Sequence, residues 1–235
     1  MIRPSRLLLN LIASLIALVA IWPLIILIAE AFGNLTSGSI DLGPDGIRQI
    51  AGTIKLLLGT ALVGTVLGTA NGWLLSNCCF PGRRWLRIAQ LIPLATPAYL
   101  LSATLVDLST REGWRVYGMG WGIVVMALTT YPYVFLLTTE SFSVGSRRQL
   151  EACRSLGVGP WASFRRVALP IAAPAIGAGV ALMGMETINE LGAVQLLGIP
   201  SLSAGILETW QAEGNPTGAI SLALITLVIV LALVM

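Results

Sequence analysis

The stretch Glu151–Pro170, EACRSLGVGPWASFRRVALP, carries a carboxylate, three arginines and two glycines in a chain that is otherwise mostly apolar. Just before it, Ser146-Arg147-Arg148-Gln149 fits a capping box, in which the serine caps a helix start and the glutamine reaches back. A short helix is expected over about 147–156. Leu150, Cys153 and Leu156 fall at helical spacing and form an apolar stripe. Gly157 suits the left-handed position that ends a helix. Gly159-Pro160 restarts the chain, since proline is favoured in a first helical turn. Trp161 and Phe164 give the second helix its own apolar side, and Leu169-Pro170 and Pro174 lead into the next apolar run. The segment therefore reads as a helix–glycine–helix elbow outside a membrane. A surface helix with an apolar stripe suits a groove on a partner or a bed of lipid headgroups.

The rest of the chain makes that membrane unavoidable. Of its 235 residues 56% are hydrophobic and 11% charged, against about 25% charged in an ordinary soluble domain. The fold class is an all-α integral membrane protein of about six transmembrane helices. The expected spans are roughly 7–29, 55–76, 86–106, 118–138, 174–197 and 219–235, with the polar segment 140–173 between the fourth and fifth. At about 1.5 Å per residue most of these cross a hydrocarbon core of about 30 Å. The first run, Leu7–Ala29, is too long for a signal-peptide core of about 7–15 residues, so it reads as a retained span.

Basic residues in the loops set the orientation. With the N-terminus in the cytoplasm, the inner segments hold ten arginines: Arg3, Arg6, Arg83, Arg84, Arg87, Arg147, Arg148, Arg154, Arg165 and Arg166. The outer ones hold four basic residues, Arg48, Lys55, Arg111 and Arg115, together with seven acids. Trp85 falls at the inner boundary and Trp114, Trp121 and Trp210 near the outer one, as interfacial indoles should. Trp22 and Trp73 do not discriminate.

Composition also excludes chemistry. The chain has no histidine, which removes His-based triads and most transition-metal cages. Its single lysine, Lys55, sits in TIKLLL rather than in a Gly-Lys-Ser/Thr ending, so no Walker nucleotide site is present. Cys78, Cys79 and Cys153 fit no common metal spacing and read as small buried or interfacial thiols. No nucleophile–base pair is evident, so the chain is not expected to be an enzyme by itself. No directly bound cofactor or metal and no nucleic-acid partner is expected. No internal repeat is visible, which weighs against a secondary transporter built from inverted repeats.

Three features lie within the spans. Gly64, Gly68 and Gly72 repeat every four residues and share one helix face, as in close helix packing, although glycine is common in membrane helices generally. Pro93, Pro97 and Pro132 predict kinks in the third and fourth spans. Glu186 and Glu190 are four apart and share a face of the fifth span, with Asn189 beside them. Ionisable groups at membrane depth are costly and usually face a cavity or a partner. The pair thus lines a pathway, pairs with an arginine of a neighbouring segment, or sits at the outer interface.

The spacing of the elbow resembles the cytoplasmic signature of binding-protein-dependent ABC importer permeases: Glu-Ala-Ala, three residues, Gly, nine residues, Ile, one residue, Leu-Pro. Here it runs Glu151-Ala152-Cys153, Gly157, Val167 and Leu169-Pro170, with Cys153 for Ala and Val167 for Ile. The resemblance implies a type I ABC importer permease-like fold and makes Leu150, Glu151, Ala152, Cys153, Leu156, Gly157, Leu169 and Pro170 the segment that docks on an ATPase. It further implies a dimer of ABC ATPase subunits carrying the ATP and Mg, a periplasmic substrate-binding protein, a second permease domain, and a multi-pass location among the lipids of the inner membrane. The tail METINELGAVQLLGIPSLSAGILETWQAEGNPTGAISLAL is similar to the ferric-iron branch of that family, through Glu186, Glu190, Leu197-Gly198-Ile199-Pro200 and Trp210. Ferric iron is then the first expected substrate, with polyamine, thiamine, phosphonate or sulfate as alternatives. Members of that branch often carry two halves in one polypeptide, and this chain is similar to the first. A stand-alone channel or secondary transporter is the competing class.

Overall fold

The computed structural model describes residues 4–36, 42–145 and 147–235. Among them every regular element is helical: α1 (Pro4–Thr36), α2 (Gly46–Asn77), α3 (Arg83–Ala89), a 3-10 turn (Ile92–Ala95), α4 (Ala98–Glu112) and α5 (Met119–Glu140), which closes in a π turn (Ser141–Gly145). Then come α6 (Arg147–Ser155), α7 (Pro160–Ser163), a second π turn (Phe164–Ala168), α8 (Leu169–Asn189), α9 (Gly192–Leu196), α10 (Leu202–Gln211) and α11 (Pro216–Val234). Five helical segments are long and apolar enough to cross a membrane, and a sixth crossing is obtained if α3 and α4 count as one bent span. The multi-span all-α architecture expected from the sequence is the one found.

Three spans differ from expectation. The sequence predicts a single third span over 86–106, kinked at Pro93 and Pro97. Instead the chain turns by 88° between Arg83–Ala95 and Ala98–Glu112. Pro97 lacks an N–H and disfavours helical backbone at Thr96, which is extended (φ −105°, ψ 109°). The fifth span is predicted over 174–197. The helical segment in fact begins at Pro160, so the second half of the elbow is the base of the span itself, and it stops at Asn189. Glu190 leaves the helix with φ −69° and ψ 124°, because its side chain is engaged by α9 and its carbonyl by α10. α2 starts at Gly46 rather than near Lys55. Its 32 residues outreach a bilayer core of about 30 Å at about 1.5 Å per residue, carrying Arg48 and Gln49 past the apolar layer.

The centre of the molecule is α2 laid along α5 and α8. Lipid supplies no hydrophobic force between helices, so close backbone approach does the work. The buried face of α2 includes Gly64, Gly68 and Gly72. A β-carbon on Gly64 would run into Met183 Sδ of α8, and one on Gly72 into Thr138 Oγ1 of α5. On Gly68 it would stand 2.7 Å from Val134 Cβ and 2.9 Å from both Phe135 N and Tyr131 O. Hydroxyls stitch the seam: Thr138 Oγ1 donates to Gly68 O at 3.4 Å and Ser76 Oγ to Thr139 O at 3.2 Å. By contrast α1 is exposed along its apolar length, with Ala31 buried, and meets α11.

At the end away from the elbow, α9 and α10 fold back over α2 and α4. Leu56, Ala98, Val125, Met126, Val194, Leu197 and Ile199 form the buried cluster there. Gly118 N donates to Leu197 O at 2.8 Å, and Leu202 N to Thr53 Oγ1 at 2.8 Å.

Candidate functional site

The elbow is a rigid bracket. α6 ends in a left-handed Gly157 (φ +71°), and Val158 N donates to Cys153 O at 2.9 Å. That bond closes the last turn in a Schellman arrangement. The chain then re-enters helix at Pro160 in the first turn of α7. Ser146, and with it the expected capping box, lies outside the described residues, as do the side chains of Leu150 and Arg154. Glu151, Ala152 and Leu156 are exposed, Leu156 to 79%, while Cys153 is half-buried. The apolar stripe is thus split, with Cys153 turned partly inward and Leu156 presented to the surroundings. Leu169 is half-buried and Pro170 exposed on the first turn of α8.

An aromatic cluster roots the bracket in the bundle. Trp73 of α2 meets Phe142 edge-on at 5.3 Å between centroids and Phe164 at 4.8 Å, and Trp161 stacks on Phe164 at 5.5 Å. Phe142, Ala168 and Ala172 are buried beneath. Such ring pairs each add about 0.5–1.5 kcal/mol beyond area burial. Beside them Arg83 Nε donates to Leu75 O at 2.7 Å, and Arg87 Nη2 to the same oxygen at 3.3 Å. Cations at the last carbonyls of a helix are favoured by its dipole. The rings thus join α7 and the two π turns that adjoin α5 and α8 to Trp73 of α2. Sequence reasoning missed this cluster: Trp73 carries no signal on its own, since its partners lie 69 and 91 positions along the chain.

The structure separates the carboxylates expected on one helix face. Glu190 lies beyond the helix end, half-buried. Its Oε1 accepts from Ala193 N at 2.9 Å, and its carbonyl accepts from Ser203 Oγ at 2.7 Å. It caps α9 and ties α10 to the end of α8. Glu186 and Asn189 remain on α8 and are exposed. Glu186 lines a cavity of about 210 Å³ with the broken backbone Pro93–Ala98 and with Thr129, Thr130 and Tyr133 of α5. Of the residues lining it, Glu186 alone is charged. Among the described residues the ion pairs are Arg48–Asp45 and Arg111–Asp107, both distant from it in sequence and on exposed helix ends. The broken backbone at Pro97 borders this space, and that Thr129, Thr130 and Tyr133 line it is legible on α5 only once that break is known. The result is a pocket lined by backbone, three hydroxyl-bearing side chains of α5 and α4's flanking Thr96, with one carboxylate, Glu186.

Comparison with known proteins supplies the remaining observation. Residues 61–235 match the family model described as the binding-protein-dependent transport system inner membrane component. An Fe(3+)-transport system permease protein of Haemophilus influenzae is 26% identical over 211 residues, covering 89% of this chain and 41% of that protein. A sulfate transport system permease protein of Escherichia coli is 32% identical over 161 residues, covering 62% of this chain and 58% of that one. The chain therefore spans about two-fifths of the first relative's length and three-fifths of the second's. Among solved structures, a bacterial ABC transporter involved in the import of the acidic polysaccharide alginate superposes with a TM-score of 0.72 at 16% identity, over 98% of this chain and 94% of that one.

Proposed function

We propose that this chain, which belongs to the family of binding-protein-dependent transport system inner membrane components, is the pore-forming permease subunit of an ATP-driven importer and is coupled to a separate ATPase through the Glu151–Pro170 elbow. The observation that carries the coupling role is the bracket itself. It presents Leu156 outward beside a glycine-closed turn, on an aromatic base shared by α2, α5 and α8. In this reading the N-terminus and the elbow face the cytoplasm, a binding protein delivers substrate at the opposite end, and a second permease domain completes the pore. The chain performs no chemistry; ATP and Mg belong to the partner.

Cross-linking tests the coupling role. With Cys78→Ser and Cys79→Ser removing the two exposed thiols, Cys153 and single cysteines placed from Leu150 to Gly157 are expected to link to the ATPase subunit, with yields that change under turnover. No link from any of these positions would dismiss the elbow as the docking point.

For the substrate, ferric iron is the first reading and sulfate the second, since an Fe(3+)-transport permease and a sulfate-transport permease are both similar to this chain. The Glu186 cavity favours the cation. A lone carboxylate among hydroxyl and carbonyl oxygens attracts a hard cation and repels a dianion. Glu186→Gln is expected to lower ferric-iron uptake roughly tenfold, the worth of a lost charged contact of about 1.4 kcal/mol, in an ATP-driven proteoliposome assay. Unchanged iron uptake would remove the carboxylate from the path. Sulfate uptake by the wild-type chain, indifferent to Glu186→Gln, would establish the second reading.

A further inference from the structure

On the outer side of the same helices lies a groove that borders the elbow and to which the proposed transport role assigns no ligand. The glycine stripe of α2 faces α5, so Val66, Ala70 and Leu74, each two residues on from it, face away from the bundle. They line an open groove of about 620 Å³, closed on its other side by Trp161, Phe164 and Ile176. The groove is overwhelmingly apolar, and its walls stay uncovered: Val66 is 61% exposed and Trp161 69%. Thr65, Thr69 and Asn71 are the polar residues of its lining. Thr69, on the groove wall, is 7% exposed, and its hydroxyl finds no partner. The threonines at 129, 130, 138 and 187 all return their hydroxyls to a carbonyl four residues back, as threonine in a membrane helix ordinarily does. Thr69 does not, and neither do Thr60 and Thr139, whose hydroxyls are likewise buried without a partner. Beside the groove, Arg165 stands four residues from both Trp161 and Leu169, two of its lining residues, and is exposed together with Arg166. Neither forms an ion pair among the described residues.

We infer that this groove is a binding site for an anionic phospholipid. The acyl chain lies along Val66, Ala70, Leu74 and Ile176, and the phosphate is held at Arg165 and Arg166 at the groove's end. Trp161 marks the interface, where an indole sits at headgroup level. Arginine suits the phosphate because its planar fork donates in pairs. The occupant is thus selected by charge at one end and by apolar fit at the other. This site depends on the chain spanning a bilayer and not on its substrate.

The test is native mass spectrometry of the purified full chain, offered equal amounts of phosphatidylglycerol and phosphatidylcholine with matched acyl chains. The wild-type chain is expected to retain phosphatidylglycerol preferentially. Arg165→Gln and Arg166→Gln should each lower that retention roughly fivefold and leave phosphatidylcholine unchanged. Ala70→Phe fills the groove from an exposed position, and should remove retention of both lipids while helicity by circular dichroism is kept. Equal retention of the two lipids by the wild-type chain, or unchanged phosphatidylglycerol retention in Ala70→Phe, overturns the proposal. So does a dimer that forms without bound lipid and is lost in Ala70→Phe, which would mean that a second copy covers the groove.

Discussion

Leu156→Asp is expected to lower ATP-driven uptake by thirtyfold or more while the chain still inserts and folds. Leu156 is 79% exposed immediately before the left-handed Gly157, so it supports nothing inside its own bundle, and surface changes of this kind alter stability by about 0.5 kcal/mol or less. Its value is realised only when a partner covers it. Burying one leucine contributes about 1.5–3 kcal/mol, and at about 1.4 kcal/mol per factor of ten that alone is some ten- to hundredfold in docking. Aspartate loses this contribution and adds an unpaired charge to a dry interface, which costs more again. Leu156→Met keeps size and polarity and should stay within a few-fold of wild type. The measurement is substrate uptake by proteoliposomes holding the assembled complex, together with co-purification of the ATPase. Wild-type uptake by Leu156→Asp would place docking elsewhere, for example on the exposed Trp85 of α3.

The same elbow shows which parts of a membrane fold a sequence discloses. Gly157 has one backbone conformation to offer at a helix end, and Pro160 has a fixed φ and no N–H, so two residues define the bracket locally. Hydropathy likewise locates most of the crossings, because a run of apolar residues has nowhere else to be. What fails is anything fixed by a distant partner. The turn at Thr96–Pro97 is readable as a kink but not as an 88° break, since a proline marks where a helix stops and not the direction in which the next one leaves. The end of the fifth span at Asn189 is invisible to hydropathy. It is decided by Glu190, whose carboxylate accepts from Ala193 N and whose carbonyl accepts from Ser203 Oγ. A helical wheel puts Glu186 and Glu190 together because it assumes the helix continues. Two hydrogen bonds from α9 and α10 take Glu190 off that wheel and leave Glu186 alone at the cavity.

Gly68→Val is expected to leave no properly folded chain, and Gly68→Ala to destabilise it by about 2 kcal/mol. The reason lies in what a side chain would meet. At Gly68 two of the three nearest atoms, Phe135 N and Tyr131 O at 2.9 Å, are backbone. No rotamer change moves them, so α2 and α5 must separate. Separation also weakens the contact of Thr138 Oγ1 with Gly68 O and loosens Gly64 and Gly72, which lie along the same line of approach. In lipid nothing compensates, because solvent hydrocarbon is as apolar as the helix face and close packing was the attraction itself. Gly177 is the control. It lies within α8, and a β-carbon there meets nothing within 4 Å. Gly177→Ala should therefore be neutral or more stable by up to about 1 kcal/mol, since alanine is the better helix former. Thermal unfolding in detergent, read by helicity and by the fraction that stays monodisperse, separates the two sites. If Gly68→Ala and Gly177→Ala shift the midpoint alike, the glycine stripe is a matter of composition and not of contact, and the α2–α5 seam does not hold the bundle together.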